Sequence, residues 1–214
     1  MKQDSVGDAS REALTAELRE RLEAFATLLL RWNDRINLIG PSTIASVWQR
    51  HIEDSLQLAP LCPAGPGEAA DLGSGAGFPG FVLALATGRT FTLVEADRRK
   101  AAFLGEAIRV TGAPARVACA RIAALPRLGA TLITARALAP LPDLLALAAP
   151  HLAGDGVLLL PKGAQASAEL TKARREWHMR VDAFPSRTSR EATILRLSEL
   201  RRVEPSPPER HATP

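Results

Sequence analysis

The stretch EAADLGSGAGFPG, residues 68–80, decides how the rest of the chain is read. An apolar lead-in closed by an acid runs into four glycines, Gly73, Gly75, Gly77 and Gly80. Glycines between a strand and a helix let the backbone turn sharply and offer its N–H groups to a ligand. Two cofactor classes accept such a loop. Gly75-x-Gly77-x-x-Gly80 has the spacing of a dinucleotide fingerprint. Asp71-x-Gly73-x-Gly75-x-Gly77 has that of a methyl-donor loop.

The acid separates the two. A dinucleotide places its pyrophosphate at the helix N-terminus, where a carboxylate such as Asp71 would repel it. S-adenosyl-L-methionine carries no phosphate and has a cationic amino-acid end, for which a carboxylate at the strand tip is an asset, directly or through water. Glu95 ends the next strand, 24 residues beyond Asp71, where it can accept from both ribose hydroxyls. That role is common to nucleoside ligands and does not choose between them. Asp71 tips the loop to a methyl donor.

Working outward, residues 69–72, 91–95, 115–119, 130–134 and 156–160 read as short apolar strands, with helices between them at 98–110 and 141–149. Pro79 suits the first turn of the helix after the loop. This alternation predicts an α/β fold, a parallel sheet with helices on both faces. Residues 178–184 and 192–198 read as an antiparallel hairpin at the sheet edge. Upstream, Ser10 can cap a helix from Arg11, with Leu14, Leu18, Leu22, Phe25, Leu29 and Trp32 along one face. Ser42 or Thr43 can cap a second helix, with Ile44, Trp48, Ile52, Leu56 and Ala59 in line. Trp32 and Trp48 lie on these stripes and read as core. Residues 10–60 are therefore expected to be a helical extension packed on a domain spanning 65–200. The polar, Pro-rich end, 201–214, is expected to be disordered.

Composition narrows the class further. The chain has 214 residues, 46% hydrophobic, and a formal net charge of +4. No run of about 18 apolar residues predicts a membrane span, and the N-terminus lacks the apolar core of a signal peptide. Two distant cysteines and four scattered histidines form no disulfide framework or zinc motif. A cytoplasmic, metal-free protein is expected. Its basic balance permits a polyanionic partner without diagnosing one.

Six segments carry a resemblance: RWNDRINLIG (31–40), RHIEDSL (50–56), DLGSGAGFPG (71–80), EADRRKAAFL (95–104), TARALAPL (134–141) and PKG (161–163). In this order, across nearly the whole chain up to the tail, the sequence resembles the bacterial glucose-inhibited-division protein B group, the 16S rRNA guanine-N7 methyltransferases. The resemblance implies a class I methyltransferase (Rossmann-like) fold: a central, mostly parallel sheet flanked by helices, with the N-terminal extension and the C-terminal edge hairpin. It implies S-adenosyl-L-methionine as donor and 16S rRNA or the 30S subunit as partner. The implied acceptor is N7 of a single guanine in the decoding-region loop, of the guanine-527 type. A monomer is expected.

Carried over residue by residue, the resemblance implies donor contacts at Gly73, Phe78, Ile122 and Ala123. Ala123 stands where members often have an acid, so only a backbone contact survives there. Arg136 matches the arginine of the family's SRA motif, with Thr134 in place of the serine. Lys162 matches the lysine of its LKG.

The expected donor site is thus Asp71, Gly73, Gly75, Gly77, Phe78, Glu95, Ile122, Ala123 and Arg136. Arg136 follows the fourth strand, at the carboxyl edge where such sheets bind ligands, and is expected to position substrate or close over the donor. His51, Asp54 and Ser55 share a helical face and can dock on the same edge. Candidate RNA contacts are these three with Arg98, Arg99, Lys100 and Lys162, and more widely Arg31, Arg35, Arg50, Arg187 and Arg190. Guanine N7 has a free lone pair and loses no proton, so in-line methyl transfer needs positioning and desolvation rather than a general base.

Overall fold

In the computed structural model, residues 14–65 and 67–203 are described. Seven strands are present there: β1 (Ala69–Leu72), β2 (Phe91–Val94), β3 (Ala115–Ala118), β4 (Ala130–Thr134), β5 (Leu152–Lys162), β6 (Trp177–Pro185) and β7 (Thr193–Arg202). They form one sheet in the order β3-β2-β1-β4-β5-β7-β6. The first five run parallel, and β7 joins β5 and β6 antiparallel. The chain reverses its winding between β1 and β4, the switch point at which open α/β sheets hold ligands.

Helices α1 (Ala16–Asn33), α2 (Gly80–Thr87), α3 (Arg98–Thr111), α4 (Leu141–Ala148) and α5 (Ala166–Ala173) cover the sheet. Period-two alternation in the strands divides the core in two. Ala69, Leu93, Leu132, Val157 and Leu159 pack with α1, α2 and α3 on one face. Ala70, Leu72, Ile133, Leu158 and Leu160 pack with α4 on the other. Leu22, Phe25 and Leu29 bring α1 into the first core, where Phe25 stacks on Phe81 at 4.4 Å between centroids. Trp32 and Trp48 pack against that core as expected.

The expected Ser10 cap lies outside the described residues. The described helix begins at Ala16, with Thr15 accepting from the Leu18 N–H at 3.2 Å. The second stripe is not one helix. It breaks into a 3-10 segment at Pro41–Ser46, a π-turn at Trp48–Glu53 and a single α-turn at Asp54–Leu56. Its N-cap is Gly40, with no side-chain cap bond, rather than Ser42 or Thr43. The tighter 3-10 turn rotates Ile44 away from the stripe, leaving it 40% exposed. Strand β5 is longer than 156–160, because pairing with β4 and β7 extends it past its polar start. Arg201 and Arg202 pair with His178 and Trp177, so the expected disordered end cannot begin at 201.

Candidate functional site

The residues that follow β1, β2, β3 and β4 enclose a cleft of about 790 Å³. The glycine loop forms its floor. Gly73 has φ +68°, and a Cβ there would meet Leu138 Cδ1 at 2.6 Å. Leu138 itself lines the cleft. Glu95 stands at the end of β2, buried to 9% exposure. Its Oε2 accepts from the Gly75 N–H and its Oε1 from the Asp97 N–H, both at 2.8 Å. The carboxylate thus ties the loop to the next strand, with a second lone pair left on each oxygen for ribose hydroxyls. Ile122 and Ala123 lie on a 3-10 turn after β3 and line the cleft.

Asp71 and Gly77 do not line it. Gly77 faces Phe81, Leu104 and Phe25 in the core. Asp71 is fully buried, accepts from Thr134 Oγ1 at 2.5 Å, and lies directly against Gly80 at the start of α2. The helix N-terminus that a pyrophosphate would need is therefore filled by a carboxylate of the protein itself. Its Oδ2 makes no hydrogen bond within the described residues. Burial raises the Asp71 pKa to about 6, against the opposing pull of the Thr134 hydroxyl and, more weakly, of Ser74, Gly80 and Arg136.

A pKa raised on folding gives stability that is present below the unfolded value and lost as pH rises through about 6. The difference amounts to ~3 kcal/mol between the two limits. We expect Asp71→Asn, which keeps an acceptor for Thr134, to lack this dependence. Urea unfolding of both proteins at pH 4 and 7 checks it. The stability difference between variant and parent should move by ~2 kcal/mol in favour of the variant at pH 7, part of the loss having already occurred at pH 4. A constant difference would show that folding does not raise the Asp71 pKa.

Arg136 follows β4 and stands over the Phe78 ring, its guanidinium carbon 5.1 Å from the centroid. Nη1 donates to Asp54 Oδ2 at 3.1 Å and to the Arg50 carbonyl at 3.3 Å. Nη2 lies 2.9 Å from His51 Nδ1. His51 stacks on the same Phe78 ring at 5.0 Å, and its Nε2 is 2.9 Å from Thr43 Oγ1. A guanidinium can only donate, so Nδ1 is the acceptor and Nε2 carries the proton. Burial first, then the Arg136 charge, pushes the His51 pKa down to about 4, which keeps the ring neutral. The Arg136–Asp54 ion pair is thus built into the wall of the cleft.

Beyond that wall opens a second cleft of about 560 Å³, which shares His51, Arg136, Ala137 and Leu138 with the first. Asp54 and Lys162 line it. Ser55 does not, because it is buried and donates to the His51 carbonyl at 2.6 Å. Lys162 Nζ bonds the Ala139 carbonyl at 3.1 Å and Glu169 Oε2 at 2.8 Å. Lys100 lines the first cleft, and with Arg99 and Arg35 it also lines a recess of about 290 Å³. Arg98 is exposed and lines none of the three.

Three contributors escape the sequence reading. Asn33 Oδ1 accepts from Leu38 N and Ile39 N, each at 2.9 Å, and so sets the loop that closes one side of the first cleft. Its place at the end of α1, just before a chain reversal, was the available signal. Gln57, buried, bonds Asp54, Ser186, Thr188 and the Arg187 N–H, fastening the N-terminal segment to the β6–β7 loop. Glu169, on α5, faces the second cleft and carries no local signature.

The first cleft fits S-adenosylmethionine: a close-approach glycine loop, an acid at the β2 tip, an apolar wall and no helix terminus open to phosphate. Sheet order, loop and cleft define a class I methyltransferase. The fold is shared with the P. horikoshii TYW2 in complex with MeSAdo (TM-score 0.58, 11% identity, 78% of this chain and 67% of that one). It is also shared with a ribosomal protein L11 methylase from Lactobacillus delbrueckii subsp. bulgaricus (TM-score 0.58, 15% identity, 70% and 78%). The family model of GidB, rRNA small subunit methyltransferase G, matches residues 18–193. The "Ribosomal RNA small subunit methyltransferase G" of Gluconobacter oxydans (strain 621H) is 52% identical over 190 residues, covering 89% of this chain and 98% of the relative. That of Acidiphilium cryptum (strain JF-5) is also 52% identical, over 93% of this chain and 96% of the relative. The chain belongs to the GidB family of rRNA small subunit methyltransferases G and is an S-adenosylmethionine-dependent enzyme. Among the described residues no helix is long and apolar enough to cross a membrane, and no group of three or more His, Cys, Asp or Glu could hold a metal ion.

Gly73→Val is expected to weaken donor binding by at least about tenfold, since a β-branched residue at positive φ costs ~1–3 kcal/mol of strain and here also drives into Leu138. Titration calorimetry with S-adenosylhomocysteine measures it. Unaltered affinity in the folded variant would remove Gly73 from the donor site.

Proposed function

We propose that the protein transfers the methyl group to N7 of a single guanine in 16S rRNA, in the decoding-region loop, a site of the guanine-527 type. One observation supports this reading above the others: two adjoining clefts of about 790 and 560 Å³ share a wall made by His51, Arg136, Ala137 and Leu138. The first suits the donor and the second a flipped purine. S-adenosylmethionine supplies a methyl group already activated on a sulfonium. The residues of this chain then have three tasks.

The glycine loop and Glu95 hold the donor in register. Phe78, with His51 and Arg136 stacked on it, keeps the shared wall rigid and dry. The acidic groups of the second cleft, Asp54 and Glu169, favour the positive charge that appears on the guanine. No residue has to remove a proton, because N7 attacks through a free lone pair. The neutral His51, already bonded at both ring nitrogens, is accordingly no general base. RNA backbone would be held by basic side chains around the clefts, among them Arg99, Lys100, Arg35 and Arg50. A ribosomal substrate sets the work in the cytoplasm, and a monomer suffices because both clefts lie within one chain.

Small subunits from a strain lacking this gene, incubated with the protein and labelled donor, test the reading. One N7-methylguanosine in 16S rRNA is expected. Label in protein or small molecules, with none in RNA, would overturn it and favour a class I enzyme with another acceptor. Absence of donor binding would point instead to a non-catalytic RNA-binding role on this fold.

A further inference from the structure

The second cleft contains two carboxylates, and they are not equivalent. Asp54 is engaged on both oxygens: Oδ1 accepts from Gln57 Nε2 at 2.9 Å and Thr188 Oγ1 at 2.5 Å, and Oδ2 accepts from Arg136. Glu169 is used on one side only. Its Oε2 accepts from the Leu141 N–H at 2.7 Å and from Lys162 at 2.8 Å. Its Oε1 accepts no hydrogen bond among the described residues, although the side chain is 23% exposed. Lys162, 12% exposed, gives two of its three protons to Ala139 and Glu169 and retains one. The cleft therefore offers one open anionic acceptor beside one open cationic donor, both already oriented by fixed partners.

We propose that Glu169 and Lys162 select guanine as the acceptor base by reading its Watson–Crick edge. This inference rests on the second cleft being the acceptor site. Guanine presents two adjacent donors, N1–H and the N2 amino group, with the O6 acceptor next to them. A carboxylate oxygen takes the donors and an ammonium takes O6. Adenine would turn the N1 lone pair toward the carboxylate, and cytosine its N3 lone pair. Uracil has a single ring N–H between two carbonyls, with no amino group. A half-buried charged pair discriminates strongly, because a wrong base leaves it desolvated and unpaired.

The placement agrees with the chemistry. On guanine, N7 lies on the Hoogsteen edge, next to O6 and away from the N2 amino group. With the Watson–Crick edge held at Glu169 and Lys162, on α5 and the end of β5, N7 faces the Arg136–Ala137–Leu138 wall shared with the donor cleft. Adenine also has an N7, so reading the adjoining Watson–Crick edge is a means of excluding it.

The test uses small subunits assembled on 16S rRNA in which the methylated guanosine, once mapped, is replaced by inosine. Inosine lacks the N2 amino group and keeps O6, N1–H and N7. The full-length protein should lose about ten- to hundredfold in kcat/KM on inosine. Glu169→Gln should methylate guanosine more slowly and reduce the guanosine-to-inosine ratio to within about threefold, since an amide is a weaker acceptor for the amino group. Lys162→Met should lose rate on both bases and keep the ratio. Calorimetric affinity for S-adenosylhomocysteine, whose cleft neither side chain lines, should stay within about twofold in both variants and so report that they fold.

An unaltered guanosine-to-inosine ratio in Glu169→Gln would overturn the inference while leaving the N7 activity standing. Equal rates of the parent protein on both bases would do the same. Loss of donor affinity in Glu169→Gln would reassign the residue to holding the fold. Absence of any methylated guanosine in the parental reaction is a different failure, that of the proposed function itself.

Discussion

Arg136→Ala is expected to lower kcat/KM by roughly a hundredfold or more, the order of loss that follows when a reacting group is displaced by about 1 Å. The guanidinium joins three elements. It bonds Asp54 and the Arg50 carbonyl from the N-terminal segment, touches His51, and lies over Phe78 of the glycine loop. Its removal frees the wall between the clefts without emptying the hydrophobic core. Arg136→Lys should recover little, because a single ammonium cannot meet Asp54 and His51 and also stack on the ring. A second readout separates this from a general loss of stability. The Arg136 charge is the second-largest cause, after burial, of a His51 pKa near 4. In Arg136→Ala that pKa should rise toward its ordinary value, visible as a shifted imidazole titration by NMR. An unchanged rate together with an unchanged titration would leave Arg136 as an incidental surface ion pair.

Gly80→Ala should be the most damaging small substitution for stability. A Cβ there would sit 2.3 Å from Asp71 Cβ and 2.6 Å from Cγ, both close to the β1 backbone and fully buried. A flexible side-chain tip could move aside, but strand β1 cannot, so α2 must lift from the sheet. Overpacking of this kind costs ~2–3 kcal/mol or more. In a chain of 214 residues that lowers the melting temperature by roughly 5–10 °C. Calorimetry against the parent protein measures it, and the glycine loop should lose donor affinity as it is displaced. A melting temperature unchanged within about a degree would show that α2 is more loosely seated on β1 than these distances require.

Much of the architecture could be read directly. Strands 69–72 and 130–134 match residue for residue, because short buried strands are mostly apolar and are bounded by turn residues. Helix α3 matched at its start because Asp97 is a strong cap, accepting from Arg99 N at 2.8 Å. Where boundaries missed, a partner strand decided them. Arg201 and Arg202 look like tail residues until β6 supplies hydrogen bonds, and Arg202 then rests over Trp177 at 5.7 Å. The broken segment 41–56 missed for another reason. A stripe at three- and four-residue spacing fits 3-10, α and π-turns nearly alike, and packing chooses among them.

The site divides in the same way. Loop glycines, the acid at the β2 tip and the arginine after β4 are local signals, since each needs one residue type at one point of the backbone. By itself the sequence therefore determined the α/β sheet, the donor class and the family. Only the tertiary structure decided that Asp71 is sealed beneath α2 and away from the cleft, and that Gly77 turns into the core. It also decided that His51, Asp54, Phe78 and Arg136 meet in one wall, and that Glu169 faces a second cleft. These are contacts between residues up to 86 positions apart, such as Arg136 with Arg50. No periodicity encodes them, because they depend on how elements pack and on which lone pairs remain open after packing.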